Sequence, residues 1–346
     1  MTVAATTEKE NSAPVTTTDA PTTDSAAAAG AASDAQGRTL PVLAVDLVTA
    51  PELLGSLAEL ARGLEDAGVG ALTLSDGGLH PIHVASHLAP LTRSVGLLPR
   101  TDAIYVEPFH LATQLMSLDH ISHGRAGWLL LAETDPAVPP TVGRELLSLE
   151  QTAREAADVL AAARLVWDSW ADDAVVRDTE KGLYFDASRL QYADARAETF
   201  SVRGPAITPR SPQGLLPVLV ADTDRQAVGE AATAAADGRV LDVDLAAGAD
   251  AVRSALETAL SGAEDGQAGE GQPALRLVRL TGLDLDADPL GTVQALAADL
   301  RAAGLIAPVP SAGVDLRTQL GLAPAPHVAD PARRSDRARL TSKESA

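Results

Sequence analysis

The feature that most constrains this chain is a recurring unit: a short apolar run suited to a strand, followed by a segment with helical spacing. LPVLAVDLV (40–48) is uniformly apolar apart from one aspartate, as expected of a strand buried on both faces. Leu53, Leu57, Leu60 and Leu64 then recur at helical spacing, and DAGVG (66–70) ends that helix. ALTLSDG (71–77) reads as the next strand and turn, with Pro81 placed to open a helix. VGLL (95–98) and AGWLLL (126–131) give two more strands, each followed by a helix, over 108–118 and 144–167. PVLV (217–220), GRVLDVDL (238–245) and LRLVRLTGL (275–283) supply a fifth, sixth and seventh strand. Alternating units of this kind build a parallel sheet with right-handed crossovers. At this length a TIM-type (β/α)8 barrel fits better than an open sheet, although seven strands are visible.

The segments outside this pattern differ in composition. Residues 1–38 are rich in Ala, Thr, Ser, Asp and Pro, and read as a disordered tail. Residues 327–346 read as a loose charged tail, 171–214 as a long irregular insertion, and 262–272 (GAEDGQAGEGQ) as a flexible linker. The barrel domain is therefore expected over 39–326.

Lys and Arg number 27 against 47 Asp and Glu, a formal net charge of −20. Nucleic acids and anionic membranes are bound mainly through basic patches, so this balance argues against both. The chain has no cysteine, which excludes disulfides, zinc-thiolate sites and thiol catalysis. No apolar run approaches the roughly 18 residues of a membrane helix, and the N-terminus lacks the basic and apolar regions of a secretory signal. A soluble cytoplasmic protein is expected.

Two blocks, YVEPFHLA (105–112) and SLDHISHGRAGW (117–128), resemble a signature of the bacterial luciferase-like flavin monooxygenases, in particular the nitrilotriacetate monooxygenase branch. LVWDSW (165–170), FSVRGP (200–205), PRSPQG (209–214) and LRTQLGL (316–322) are similar to further blocks of that branch. The resemblance spans about residues 41 to 325. It implies a luciferase-like barrel with FMN at the C-terminal ends of the strands, supplied in reduced form by a separate flavin reductase. It also implies a small organic substrate and a homo- or heterodimer.

Carried over position by position, the cofactor-facing motifs are altered. After Gly127-Trp128 the family usually continues with Asn, two apolar residues and Thr-Ser; here the chain reads Leu129, Leu130, Leu131, Ala132 and Glu133. A family His-Asp-x-Arg-Tyr run falls on Leu149-Glu150-Gln151-Thr152-Ala153. A threonine ending the third strand is matched by Arg100, and the Gly-Ser-Ser phosphate cradle by Asp222-Thr223-Asp224. Between about Leu245 and Pro289 the chain is also much shorter than the resemblance implies, so the barrel is shortened in its C-terminal half. It either lacks a strand or closes by an unusual route.

The residues placed at the cofactor site are accordingly Asp76, Arg100, Glu133, Asp222, Thr223 and Asp224, with no catalytic residue assigned. Asp76, Glu133, Asp135, Asp222 and Asp224 all follow predicted strands. A carboxylate about 5 Å from an FMN phosphate costs about 3 kcal/mol at an effective dielectric of about 20, roughly a hundredfold in affinity. The alternative role for Asp222 or Asp224 is to cap the following helix. Arg100 either reaches an anionic ligand or balances the acids around it. Asp119, His120 and His123 read as a helix end and tight turn tied down by Arg125, and His80, His83 and His87 as a solvated helix entry. No metal site is expected.

Two functions remain open at this point. One is a luciferase-like FMNH2-dependent monooxygenase with a remodelled pocket, acting on a small organic substrate. The other is a degenerate, non-catalytic member that has lost flavin binding and acts as a structural or regulatory partner.

Overall fold

The computed structural model describes residues 39–261 and 273–326. The expected tails at 1–38 and 327–346 and the linker at 262–272 lie outside them. In chain order the first half contains β1 (Val42–Thr49), α1 (Leu54–Asp66), β2 (Ala71–Asp76), α2 (Pro81–Leu88), β3 (Gly96–Asp102), α3 (Pro108–Ile121), β4 (Trp128–Leu131) and α4 (Leu149–Trp167). Two short antiparallel ribbons follow, β5 (Val175–Asp178) with β6 (Leu183–Phe185), and β7 (Ala195–Arg196) with β8 (Ser201–Val202). The remainder comprises β9 (Val218–Ala221), α5 (Arg225–Ala235), β10 (Gly238–Asp244), α6 (Ala249–Ser261), β11 (Leu275–Thr281), α7 (Pro289–Ala302) and α8 (Leu316–Gln319).

Seven parallel strands close into a barrel in the order β1-β11-β10-β9-β4-β3-β2. The expected TIM-type closure is therefore present, with seven strands where the eightfold pattern has eight. Closure is made by β11, whose Leu277 to Leu280 pair with Val42 to Val45 of β1. The seventh strand recognised in the sequence thus meets the first directly.

Side chains alternate along each strand, and the two sets have different jobs. Leu43, Val45, Leu72, Leu97 and Val278 point outward and pack against the helices in the main core. Val42, Ala44, Ala71, Leu98, Leu129, Leu219, Val240 and Leu277 point inward and form a second apolar cluster with Leu40, Ala307, Leu316 and Leu320. That inner cluster fills the N-terminal end of the barrel. Its plug is α8: a Cβ at Gly96 would lie 2.7 Å from Leu316 Cδ1, and one at Gly127 2.9 Å from Leu316 Cδ2. Both strands need glycine there to admit the leucine.

The helix expected over 144–167 begins later, at Leu149, because Ser148 and Gln151 form a capping box. Residues 144–148 instead tie a loop down. Arg144 bonds both carboxylate oxygens of Glu155 at 2.7 and 2.9 Å, donates to the Ile104 carbonyl, and lies 5.3 Å above the Tyr105 ring. The 171–214 insertion is irregular apart from the two ribbons.

Candidate functional site

The inward positions change character along each strand. Below the midpoint they are apolar; two or four residues further on, toward the mouth, they are Asp46, Thr73, Ser75, Arg100, Asp242 and Arg279. Asp46 accepts from Thr73 Oγ1 at 2.6 Å and from Ser75 Oγ at 2.9 Å, which joins β1 to β2. Arg279 of β11 donates through Nε to Asp242 of β10 at 2.6 Å, and its Nη1 stands 3.8 Å from Asp46 Oδ1. Thr223, in the turn after β9, bonds Asp242 Oδ2 at 2.5 Å. Arg100 of β3 reaches across to the same turn and grips both oxygens of Asp224, at 3.1 and 2.7 Å.

The result is a belt of paired charges inside the mouth, and its members come from every barrel strand or strand end except β4. Its carboxylates and Arg279 are largely withdrawn from water, with side-chain exposures of 7 % for Arg279, 10 % for Asp46 and Asp224, and 11 % for Asp242. Burial alone would lower the Arg100 pKa, but the bond to Asp224 and the fields of Asp46 and Asp242 raise it above the ordinary value. Asp222 lies beside this belt and pairs with Arg239 at 2.7 Å. Burial outweighs that partner and pushes the Asp222 carboxyl up.

Of the six residues assigned from the sequence, Arg100, Thr223 and Asp224 come together in the belt, and Asp222 adjoins it. Asp224 stands at the N-cap position of α5 yet makes no side-chain cap bond, because its carboxylate is spent on Arg100. Asp76 and Glu133 serve their own loops: Asp76 accepts from Gly78 N, and Glu133 from the amides of Thr134 and Asp135. A half-buried neighbour, Asp102, accepts from the amides of Ile104, Tyr105 and Glu133, and so binds two mouth loops together. Burial raises its pKa against those bonds.

Sequence reasoning passed over Asp46, Asp242, Arg279, Arg239 and Asp102. The signal was available: in LPVLAVDLV, GRVLDVDL and LRLVRLTGL a charged residue (Asp46, Asp242 and Arg279) stands two positions beyond an inward-facing apolar one (Ala44, Val240 and Leu277). A charge there requires a partner in the barrel, and the three strands offer one another Asp46, Asp242 and Arg279.

At the other end of the barrel, Asp119 is fully buried and accepts from Gln213 Nε2 at 2.6 Å and from Ala126 N. Arg125 donates to the carbonyls of Ser122, Val95, Ala89 and Thr92, and His120 contacts the Pro209 carbonyl. Among the described residues no group of three or more His, Cys, Asp or Glu is placed to hold a metal ion, and no helix is long and apolar enough to cross a membrane.

A flavin requires apolar walls for its ring and free N–H donors for its phosphate. The inner mouth does not present apolar walls in the expected place. Its walls are ionised groups largely paired with one another, although Arg279 Nη1 and Asp222 Oδ1 are buried without a hydrogen-bond partner, and in the 222–224 turn the amides of Asp222 and Asp224 are spent on Val240 O and Ala221 O, at 2.9 Å each. The repulsion anticipated from Asp222 and Asp224 is largely cancelled by Arg239 and Arg100. The ionised walls, rather than net charge, set the inner mouth against a flavin ring.

A closed parallel α/β barrel of TIM type with a remodelled mouth is the class these observations define. The chain belongs to the luciferase-like monooxygenase family, whose model matches residues 37–279. N-acetyl-S-(2-succino)cysteine monooxygenase of Bacillus subtilis (strain 168) is 36 % identical over 141 residues, 40 % of this chain and 32 % of the relative. Nitrilotriacetate monooxygenase component A of Aminobacter aminovorans is 35 % identical over 144 residues, 41 % of this chain and 31 % of the relative. One of the subunits of pristinamycin IIA synthase from Streptomyces pristinaespiralis is 33 % identical over 212 residues, 57 % of this chain and 71 % of the relative. The chain thus spans about a third of the length of the first two relatives. The crystal structure of a long-chain alkane monooxygenase shares the fold, with a TM-score of 0.55 at 19 % identity, covering 78 % of this chain and 73 % of that one.

Proposed function

We propose that this chain is a luciferase-like protein that does not use flavin and serves as a structural or regulatory partner of another polypeptide. The single observation carrying this reading is the ionic belt from Asp46 through Arg279 and Asp242 to the Arg100–Asp224 pair, in the space a cofactor ring would need. The substitutions at Leu129, Ala132, Leu149 and Ala153 support it, since apolar side chains stand where the family usually has Asn, Thr, His and Tyr. A relative that is itself one subunit of a synthase gives the idea of a partner a precedent within the family. Residues 39–326 act as the single working domain.

The decisive experiment is a titration of the purified protein with FMN, and with reduced FMN without oxygen, followed by fluorescence and calorimetry. No saturable binding is expected up to about 1 mM, and a Kd near 1 µM refutes the reading. Replacing Asp222 and Asp224 by Gly and Ser tests the turn directly. The flavin-free reading expects that pair to remain without effect, because Arg279, Asp242 and Asp46 stay in place.

One observation favours the second reading, an FMNH2-dependent monooxygenase fed by a separate flavin reductase and acting on a small organic substrate. Arg225 and Arg239 both bring positive charge to Asp222 at the start of α5. On that reading the two cations meet the phosphate, and the same titration yields micromolar binding.

A further inference from the structure

We propose that His80 is a proton-operated latch on the rim of the barrel: its neutral ring holds the start of α2 and the loop before it in place, and protonation releases them. Helix N-caps are usually Ser, Thr, Asp or Asn, whereas α2 is capped by an imidazole. His80 Nδ1 accepts from the Ile82 amide at 3.3 Å, while the His80 carbonyl accepts from the amides of His83 and Val84. A protonated imidazole has no lone pair left at Nδ1. The acid form therefore loses the cap and sets a cation at the positive end of the helix dipole.

The surroundings bear on this change from each neighbouring element. On α2, the His83 ring lies 4.9 Å from that of His80, and His83 Nε2 is 3.4 Å from Gln114 Nε2 of α3. His110 on α3 adds a third imidazole to the field at His80. The counter-charge is Asp76 in the preceding loop, whose Oδ1 is engaged by the Gly78 amide. Three imidazoles thus lie within reach of one another here, and Asp76 is the carboxylate whose charge acts on His80. Burial first, then His83 and His110, hold the His80 pKa below its ordinary value, against the pull of Asp76.

The latch bears on the mouth because the residue before it is tied to the barrel. Thr49, buried at the end of β1, donates to the Leu79 carbonyl at 2.5 Å, and its own carbonyl accepts from the Leu79 amide. A loosened α2 start therefore slackens the 77–80 loop where it crosses the end of β1, next to the Ser75–Asp46 bond of the belt.

The test is hydrogen–deuterium exchange of the full-length protein at pH 8 and at pH 5, corrected for intrinsic exchange, comparing the 79–88 segment with β9 as an internal reference. Protection of 79–88 is expected to fall about five- to tenfold at pH 5, the loss of one cap, with β9 unchanged. His80→Ser, which caps without titrating, keeps the protection at both pH values; His80→Ala lacks it at both. Three results overturn the latch: pH-independent exchange of 79–88 in the wild type, the wild-type pH response persisting in His80→Ser, or β9 losing protection in parallel.

Discussion

Replacing Arg279 with Met tests the belt at its most buried cation. The methionine keeps much of the volume and removes the charge. Arg279 is 7 % exposed at its side chain and stands between Asp242 and Asp46, which are themselves 11 % and 10 % exposed. Breaking a buried pair from one side leaves carboxylates with neither water nor partner, at a cost of about 3–5 kcal/mol. Arg100, close enough for both acids to raise its pKa, offsets part of this, so the lower figure is the better expectation. For a domain of this size each kcal/mol moves Tm by about 2–4 °C, so the variant should melt about 6–12 °C lower at pH 7.5. Calorimetric scans of both proteins at that pH read the difference directly. A gap in Tm below about 2 °C would refute the view that Arg279 neutralises buried charge.

Two further outcomes follow from other parts of the fold. Burial would raise the Glu65 pKa, but the amides of Ser94, Arg93 and Val95 and the Ser94 hydroxyl overcome it and hold the carboxyl below its ordinary value of 4.5. The stability it lends is present above that value and disappears as pH falls through the lower folded-state pKa, so Glu65→Gln should cost about 1–3 kcal/mol at pH 7 and flatten the acid limb of a denaturant-midpoint-versus-pH curve; an unchanged acid limb counts against it. Gly229→Ala should destabilise by about 1–3 kcal/mol in urea, because Gly229 has φ +81° and an added Cβ would lie 2.4 Å from Ala153 Cβ; a neutral or stabilising result contradicts that geometry.

The barrel was legible in the sequence because each strand of a parallel barrel is apolar on both faces and short, and each helix carries its own start signal. All seven apolar runs became barrel strands, and Pro81 and Pro108 opened helices. The start of α4 was misplaced by five residues because 144–148 has acceptable helical composition, and only Ser148 with Gln151 reveals the cap. The site was read only in part, for a different reason. Asp222, Thr223 and Asp224 could be found because they follow a strand directly. Their partners lie far along the chain: 124 residues separate Arg100 from Asp224, and 37 separate Arg279 from Asp242. Charge counted along a sequence sees the acids of one turn and misses cations delivered by other strands, which is why the expected repulsion is largely cancelled in the fold.

The belt also bears on how such a mouth changes its use. Replacing a buried ionic cluster by well-packed apolar residues can be neutral or better, while removing one member is costly. Arg100 with Asp224, and Arg279 with Asp46 and Asp242, are therefore each held by the others. A single substitution toward a roomier mouth strands a charge before it opens any space. Thr73, Ser75 and Thr223 extend the same constraint, since each hydroxyl bonds a belt carboxylate. Replacing the belt by apolar residues therefore requires several strands to change together. The paired charges at the mouth thus constrain one another, and the Asp222-Thr223-Asp224 turn contributes to a belt shared among six of the seven barrel strands.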